Sequence, residues 1–118
     1  MSTFSVPVTL IQPDDHAQSL TIDMRVDTGT TYMLLPPEVV EALGLAVVEH
    51  RVGQLASGER VTYGVGPIVV RLDDREFPAV FVAGPSGCPT LLGSFTLEAF
   101  GLAVDPMNER LFAVDAHF

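Results

Sequence analysis

Val26-Asp27-Thr28-Gly29-Thr30-Thr31-Tyr32-Met33-Leu34-Leu35-Pro36 is the stretch from which the rest of the chain can be read. An apolar residue leads into a carboxylate, which is followed by a hydroxyl, a glycine and a second hydroxyl. At the end of a buried strand such a carboxylate leaves water, and the cost of its charge rises. Gly29 lets the backbone turn so that N–H groups approach the acid, while Thr28 and Thr30 offer short hydroxyls that can fix its orientation. Taken alone, Asp27-Thr28-Gly29 reads as a β-turn closed by an Asx-type bond. Its flanks change that reading.

Upstream, residues 4–12 alternate Val6, Val8 and Leu10 with Ser5 and Thr9, the pattern of a half-buried strand. Pro13-Asp14-Asp15-His16 is a turn, and residues 19–26 return as a second strand with Leu20, Ile22 and Met24 on one face. Downstream, Pro36-Pro37-Glu38 starts a short helix with an apolar face of Val39, Val40 and Leu43, and Gly44 caps its end. Residues 46–54 and 59–72 read as the arms of a long hairpin whose tip is Leu55-Ala56-Ser57-Gly58. A turn at Asp73-Asp74-Arg75, a strand over 77–83 and a Gly84-Pro85-Ser86-Gly87 loop lead to Leu91-Leu92-Gly93. A helix over 94–100 and paired runs at 102–105 and 111–115 complete a mainly β chain with two short helices.

Composition narrows the functions. The 118 residues suit one domain spanning 1–118, large enough for a continuous core. Fifteen acidic residues face six arginines and no lysine, so the formal charge is −9. That charge repels phosphate backbones and anionic lipid, which argues against nucleic acid or membrane as partners. Without lysine, Schiff-base catalysis and a Walker A loop are excluded. No run is long enough to cross a bilayer. Met1-Ser2-Thr3-Phe4 lacks the features of a secretory signal, so a soluble, cytoplasmic protein is expected. Cys88 is the single cysteine, which fits a reducing compartment and reads as a half-buried apolar residue in a loop.

Glu41-Ala42-Leu43-Gly44-Leu45-Ala46-Val47 recurs as Glu98-Ala99-Phe100-Gly101-Leu102-Ala103-Val104. Each copy ends a short helix that follows an apolar segment, so two similar halves packed about an approximate twofold axis are expected. With these flanks, residues 26–36 and the helix ending at Gly44 resemble the active-site loop of the retropepsin-like aspartic proteases. Leu91-Leu92-Gly93-Ser94, the run from Leu97 to Leu102 and Asp105-Pro106 resemble that family's second signature. The hairpin around Ser57-Gly58 lies between them, where the family keeps its flap.

The resemblance runs from the first strand to Val114. It implies a single closed β-barrel lobe, with Asp27, Thr28, Gly29 and Thr30 at the catalytic site and Ala56, Ser57 and Gly58 in a substrate-binding flap. Leu91, Leu92 and Gly93 would support the site. Thr28 would bond across a dimer axis, and Thr30 would hold the outer oxygen of Asp27. It implies no metal or other cofactor and a peptide or protein substrate.

Hydrolysis by an aspartyl dyad needs two facing carboxylates sharing one proton around a water. The chain carries one Asp-Thr-Gly, with Leu-Leu-Gly taken as its counterpart in the second half. A homodimer with a C2 contact would bring two copies of Asp27 together. The competing reading keeps the fold without the catalysis, as a dimerisation or peptide-binding module. Asp14, Asp15 and His16 read as a solvated turn rather than a metal site. His50 and His117 are isolated, Ser57 has no nucleophile-elbow context, and Gly64-Val65-Gly66 reads as a bulge or kink.

Overall fold

The computed structural model describes residues 3–118. Met1 and Ser2, part of the N-terminal segment read above for an export signal, lie outside the described residues.

Two long hairpins supply most of the sheet. One joins β1 (Ser5–Gln12) to β2 (Asp15–Val26), and the other joins β5 (Arg60–Leu72) to β6 (Arg75–Ala83). Alternation decides what each strand buries. Val8 and Leu10 of β1, Met24 and Val26 of β2, and Ile68 and Val70 of β5 all point into one core around Phe81. Both hairpins run closer to their turns than the apolar pattern indicates. Asp15 pairs with Gln12 across a register shift that takes up residues 16–18, and all of residues 15–18 are exposed, so β2 extends there without a burial signal. Likewise, β6 starts at Arg75, where an Arg71–Glu76 ion pair spans the two strands.

Short strands β3 (Met33–Leu35) and β7 (Leu91–Leu92) fill the centre, and β4 (Glu49–Gln54) lies at the edge. The order is β1-β2-β7-β3-β6-β5-β4, and β1 also pairs with β5 through Thr9–Ile11. Two six-residue helices, α1 (Pro37–Ala42) and α2 (Ser94–Ala99), complete a mainly β fold. The helices end alike, with glycines at positive φ, +61° at Gly44 and +66° at Gly101, where other residues are strained.

The internal echo in the sequence has a structural counterpart. β2 runs parallel to β7, β6 runs parallel to β3, and β3 meets β7 antiparallel at Leu34↔Leu91. Exchanging β2, β3 and α1 for β6, β7 and α2 leaves this pattern unchanged. The hydrogen bonds repeat too: Asp27 N donates to Leu92 O (3.0 Å), and Gly84 N donates to Leu35 O (2.8 Å). One shift along the chain carries 27 to 84, 34 to 91 and 35 to 92. The counterpart of Asp27 is therefore Gly84, while Leu91-Leu92 corresponds to Leu34-Leu35. This corrects the pairing of Asp-Thr-Gly with Leu-Leu-Gly, because the acid comes before the apolar pair in the repeating unit.

The expected bulge at Gly64-Val65-Gly66 is absent. The ladders of β5 with β4 and β6 run through this stretch without a register shift. The glycines are needed for close crossing of the chain: a Cβ at Gly66 would lie 1.9 Å from Ala46 O, and one at Gly64 would lie 2.6 Å from a Val47 methyl. A second, separate sheet pairs β8 (Leu102–Asp105) with β9 (Arg110–Ala113).

Candidate active site

β2 carries Asp27 to the centre of the sheet and stops there. The Asp27 backbone amide is tied to Leu92 O, so the side chain emerges where β2 and β7 end together, half-buried. Its Oδ1 accepts the Gly29 N–H (2.9 Å), closing the Asx-type turn. A Cβ at Gly29 would lie 3.1 Å from that same oxygen, so the missing side chain is what lets this amide approach. Thr30 N–H donates to Asp27 O at 3.4 Å, tightening the turn.

The Thr30 hydroxyl differs from the expected role. It donates to Tyr32 O (3.4 Å), and the Gly29 amide holds the Asp27 carboxylate. Thr28 and Gly29 are exposed at the loop's outer edge.

The second signature braces the first. Ser94 N and Phe95 N, at the start of α2, donate to Thr30 O and Thr31 O, each at 2.9 Å. Gly93 lies so close beneath the loop that a Cβ there would meet Thr31 O, Tyr32 O and Thr30 O at 2.6–2.9 Å. Tyr32 meets Phe95 edge to face, with centroids 5.6 Å apart. Leu91, Leu92 and Gly93 are thus brought against Asp27–Thr30.

Ala56, Ser57 and Gly58 form the tip of the β4–β5 hairpin, closed by Leu55 N→Glu59 O (2.7 Å) and Gly58 N→Leu55 O (2.9 Å). It is the arms of this hairpin that reach the Asp27 loop. Tyr63 of β5 shares a cleft of about 310 Å³ with Thr30, Thr31, Tyr32 and Val82. Arg51 of β4 lies 5.8 Å from the Tyr32 ring centroid. Its Nε donates to Glu49 Oε1 (2.5 Å), and this hydrogen bond is the main cause raising the guanidinium's pKa. Sequence reading passed over Tyr63 and Arg51. An aromatic and a cation on opposite arms of one hairpin were the available signal, but only the pairing Arg51↔Tyr63 places them side by side.

A wider cleft of about 590 Å³ opens in front of Asp27, between Phe4, Gly29 and Pro106. Among the described residues no group of three or more His, Cys, Asp or Glu side chains is placed to hold a metal ion, and no helix is long and apolar enough to cross a membrane. Cys88 is a free thiol, half-buried; burial, then the nearby Glu38 charge, pushes its pKa up.

This geometry coincides with a sequence match. Residues 6–96 match the aspartyl protease family, and the chain belongs to that family. No curated protein sequence matches the chain. Solved structures share its fold. The retroviral protease-like domain of Ddi1 from Leishmania major is 16% identical with a TM-score of 0.64, covering 98% of this chain and 91% of that one. A retropepsin-like aspartic protease from Rickettsia conorii is 24% identical with a TM-score of 0.56, covering 87% and 84%. The Simian Foamy Virus protease is 15% identical with a TM-score of 0.57, covering 80% and 94%. The fold is therefore retropepsin-like.

Proposed function

We propose that the chain is an aspartic endopeptidase, one closed-barrel lobe of a homodimer in which Asp27 faces the partner's Asp27. The observation that carries this reading is the Asp27 turn: a half-buried carboxylate held by the Gly29 amide at a strand end, with glycine at its symmetry counterpart, Gly84. One subunit supplies one acid, and the chemistry needs two. The whole chain acts as a single domain.

In the proposed mechanism the ionised carboxylate of the pair takes a proton from a water lying between them. The water oxygen bonds to the substrate carbonyl carbon while the protonated partner donates to the carbonyl oxygen. In the tetrahedral intermediate a proton passes to the amide nitrogen, the C–N bond breaks and amine and acid leave. The two carboxylates share one proton before and after, so atoms and charge balance. Hydrogen bonds from α2 to Thr30 O and Thr31 O keep the loop from moving as charge shifts across it. The β4–β5 hairpin, with Ala56–Gly58 at its tip, acts as the flap that covers an extended peptide.

The test is Asp27→Asn against wild type on an unbiased peptide library from acidic to neutral pH. Asparagine keeps the shape but cannot accept the proton, and in a dimer one substitution removes both acids. Cleavage should fall by roughly 10³-fold, with the melting temperature level or higher because a repulsive pair is gone. Equal cleavage by both forms rejects Asp27 as the catalytic acid. A wild type that cleaves nothing favours the peptide-binding module.

A further inference from the structure

The end of β2 carries two charged side chains on the face turned away from the core. Met24 and Val26 are buried, so by strand alternation Arg25 and Asp27 project together from the opposite side. Both border the cleft of about 590 Å³ in front of the Asp27 loop, and the other residues around it are uncharged. Two residues along a strand span about 7 Å, a distance that an extended arginine side chain can bridge.

An exposed arginine on a strand is most often a solvated surface group, and two observations set Arg25 apart. β2 is an inner strand at this point, with Ser5 of β1 opposite Arg25 on one side and Leu91 of β7 on the other. Arg25 therefore stands over the middle of the sheet rather than at its rim. Its charge is also unanswered. Arg51 pairs with Glu49, Arg71 with Glu76 and Arg110 with Asp105, while Arg75 lies over the Phe100 ring. Among the described residues Arg25 forms no ion pair, in a chain with fifteen acids and six arginines.

We propose that Arg25 is a specificity-determining residue that selects peptides with an Asp or Glu side chain beside the bond to be cut. The proposal rests on the dimeric aspartic protease reading and names the class of substrate which that site takes. Charge balance carries it. In the dimer one Arg25 lies on each side of the paired Asp27 residues. The pair shares one proton and so holds a single negative charge, which the two guanidiniums exceed. The middle of the cleft is thus cationic, although each chain carries a formal −9.

A carboxylate matches the forked donors of a guanidinium, and it supplies the acid that Arg25 lacks within the subunit. A peptide laid past Asp27 as an extended strand repeats the spacing of β2. A residue flanking the cut bond therefore brings its side chain within reach of one Arg25. Water displaced by the bound peptide strengthens the pair further. At Arg51, near the smaller cleft, the same fork is already engaged, because its Nε donates to Glu49.

The test uses matched peptides that differ only in Glu against Gln, or Asp against Asn, at the residues flanking the cut bond. Wild type should cleave the acidic member with a kcat/KM about 10-fold higher. Arg25→Gln should remove this preference, and Arg25→Glu should move it to bonds flanked by Lys or Arg. Arg71→Gln, at a guanidinium that does not border this cleft, should retain it. The ratio between matched peptides is the readout, since a merely structural role for Arg25 would lower both rates together. A wild-type preference for basic side chains, as overall charge alone would give, overturns the proposal. So does a ratio that Arg25→Gln leaves unchanged. Fluorescence anisotropy with labelled forms of the same peptides on Asp27→Asn separates the two readings. If wild type cleaves with no acidic preference, the protease stands and selection by Arg25 falls. If wild type cleaves nothing, while Asp27→Asn binds the acidic peptides more tightly and loses that margin on adding Arg25→Gln, selection stands and the protease reading falls. With neither cleavage nor such a margin, both fall.

Discussion

The loop after β2 and the loop after β6 occupy equivalent places about the Leu34–Leu91 contact, yet they are finished in opposite ways. Both begin with an amide bonded to the end of the other half's short strand, Asp27 N to Leu92 O and Gly84 N to Leu35 O. In the first loop the space in front of the backbone is open, and the carboxylate stands in it with the Gly29 amide on one oxygen. In the second, that space is filled. A Cβ at Gly84 would lie 2.6 Å from Cys88 Sγ and 2.9 Å from Leu34 Cδ1. The same scaffold holds an acid in one half and a packed sulfur in the other. The backbone frame is common to both, and chemistry depends on what each loop leaves exposed.

Substitution at the paired positions following the short strands would sharpen this contrast most. Gly93→Ala drives a methyl group into three backbone carbonyls of the Asp27 loop, which cannot rotate away as side chains can. We expect a loss of about 3 kcal/mol in urea unfolding, together with a large drop in peptide cleavage. Pro36→Ala, at the equivalent place in the first half, should cost about 1 kcal/mol or less. Equal costs would mean that the two halves are braced alike.

A smaller effect is expected at Gly84→Ala, where the obstructing atoms belong to side chains that can shift. It should lose about 1 kcal/mol, and Gly84→Ala combined with Cys88→Ala should recover most of that loss. The double variant departs from additivity because both changes act on one space. Full additivity would show that Cys88 does not fill the second loop.

The smallest effect concerns Asp105 in the β8–β9 turn, whose pKa is lowered chiefly by the Asn108 side-chain hydrogen bond and then by Arg110. With the folded value below the unfolded one, its contribution is present above the ordinary aspartate value, about 3.9. It is lost as pH falls through the lowered folded value. NMR titration should give a midpoint below the usual carboxylate range, with amide protection in β8 and β9 declining over the same pH interval. An unshifted midpoint would mean that the turn is not held by Asp105.

Much of this was legible in the chain. Val8, Leu10, Met24 and Val26 alternate cleanly, and the structure buries all four. Gly44 and Gly101 marked both helix ends, and the repeated Glu-Ala-Leu/Phe-Gly run announced two related halves. The hairpin ends were hidden because Asp15 pairs with Gln12 across an exposed, irregular stretch, and periodicity records burial alone. The Thr30 hydroxyl, Gly66 and the counterpart of Asp27 escaped for a different reason. Gly66 and the counterpart of Asp27 are each set by a backbone atom distant in sequence, Ala46 O at a chain crossing and Leu35 O in a ladder, whereas the Thr30 hydroxyl turns to the carbonyl of Tyr32, two residues on.

The two-residue strand β7 has a consequence for the order of assembly. Leu91 and Leu92 sit between β2 and β3, and α2 supplies the amides that hold Thr30 and Thr31. A growing chain that has emerged only as far as β6 therefore has an Asp27 amide without its acceptor and a loop without its brace. Such distant pairings place folding in the slow regime, about milliseconds to seconds, well after the first hairpins can form. The carboxylate reaches its final setting only once the chain has been made past Phe95, so the synthesis of the Asp27 loop and its bracing are separated in time by the topology itself.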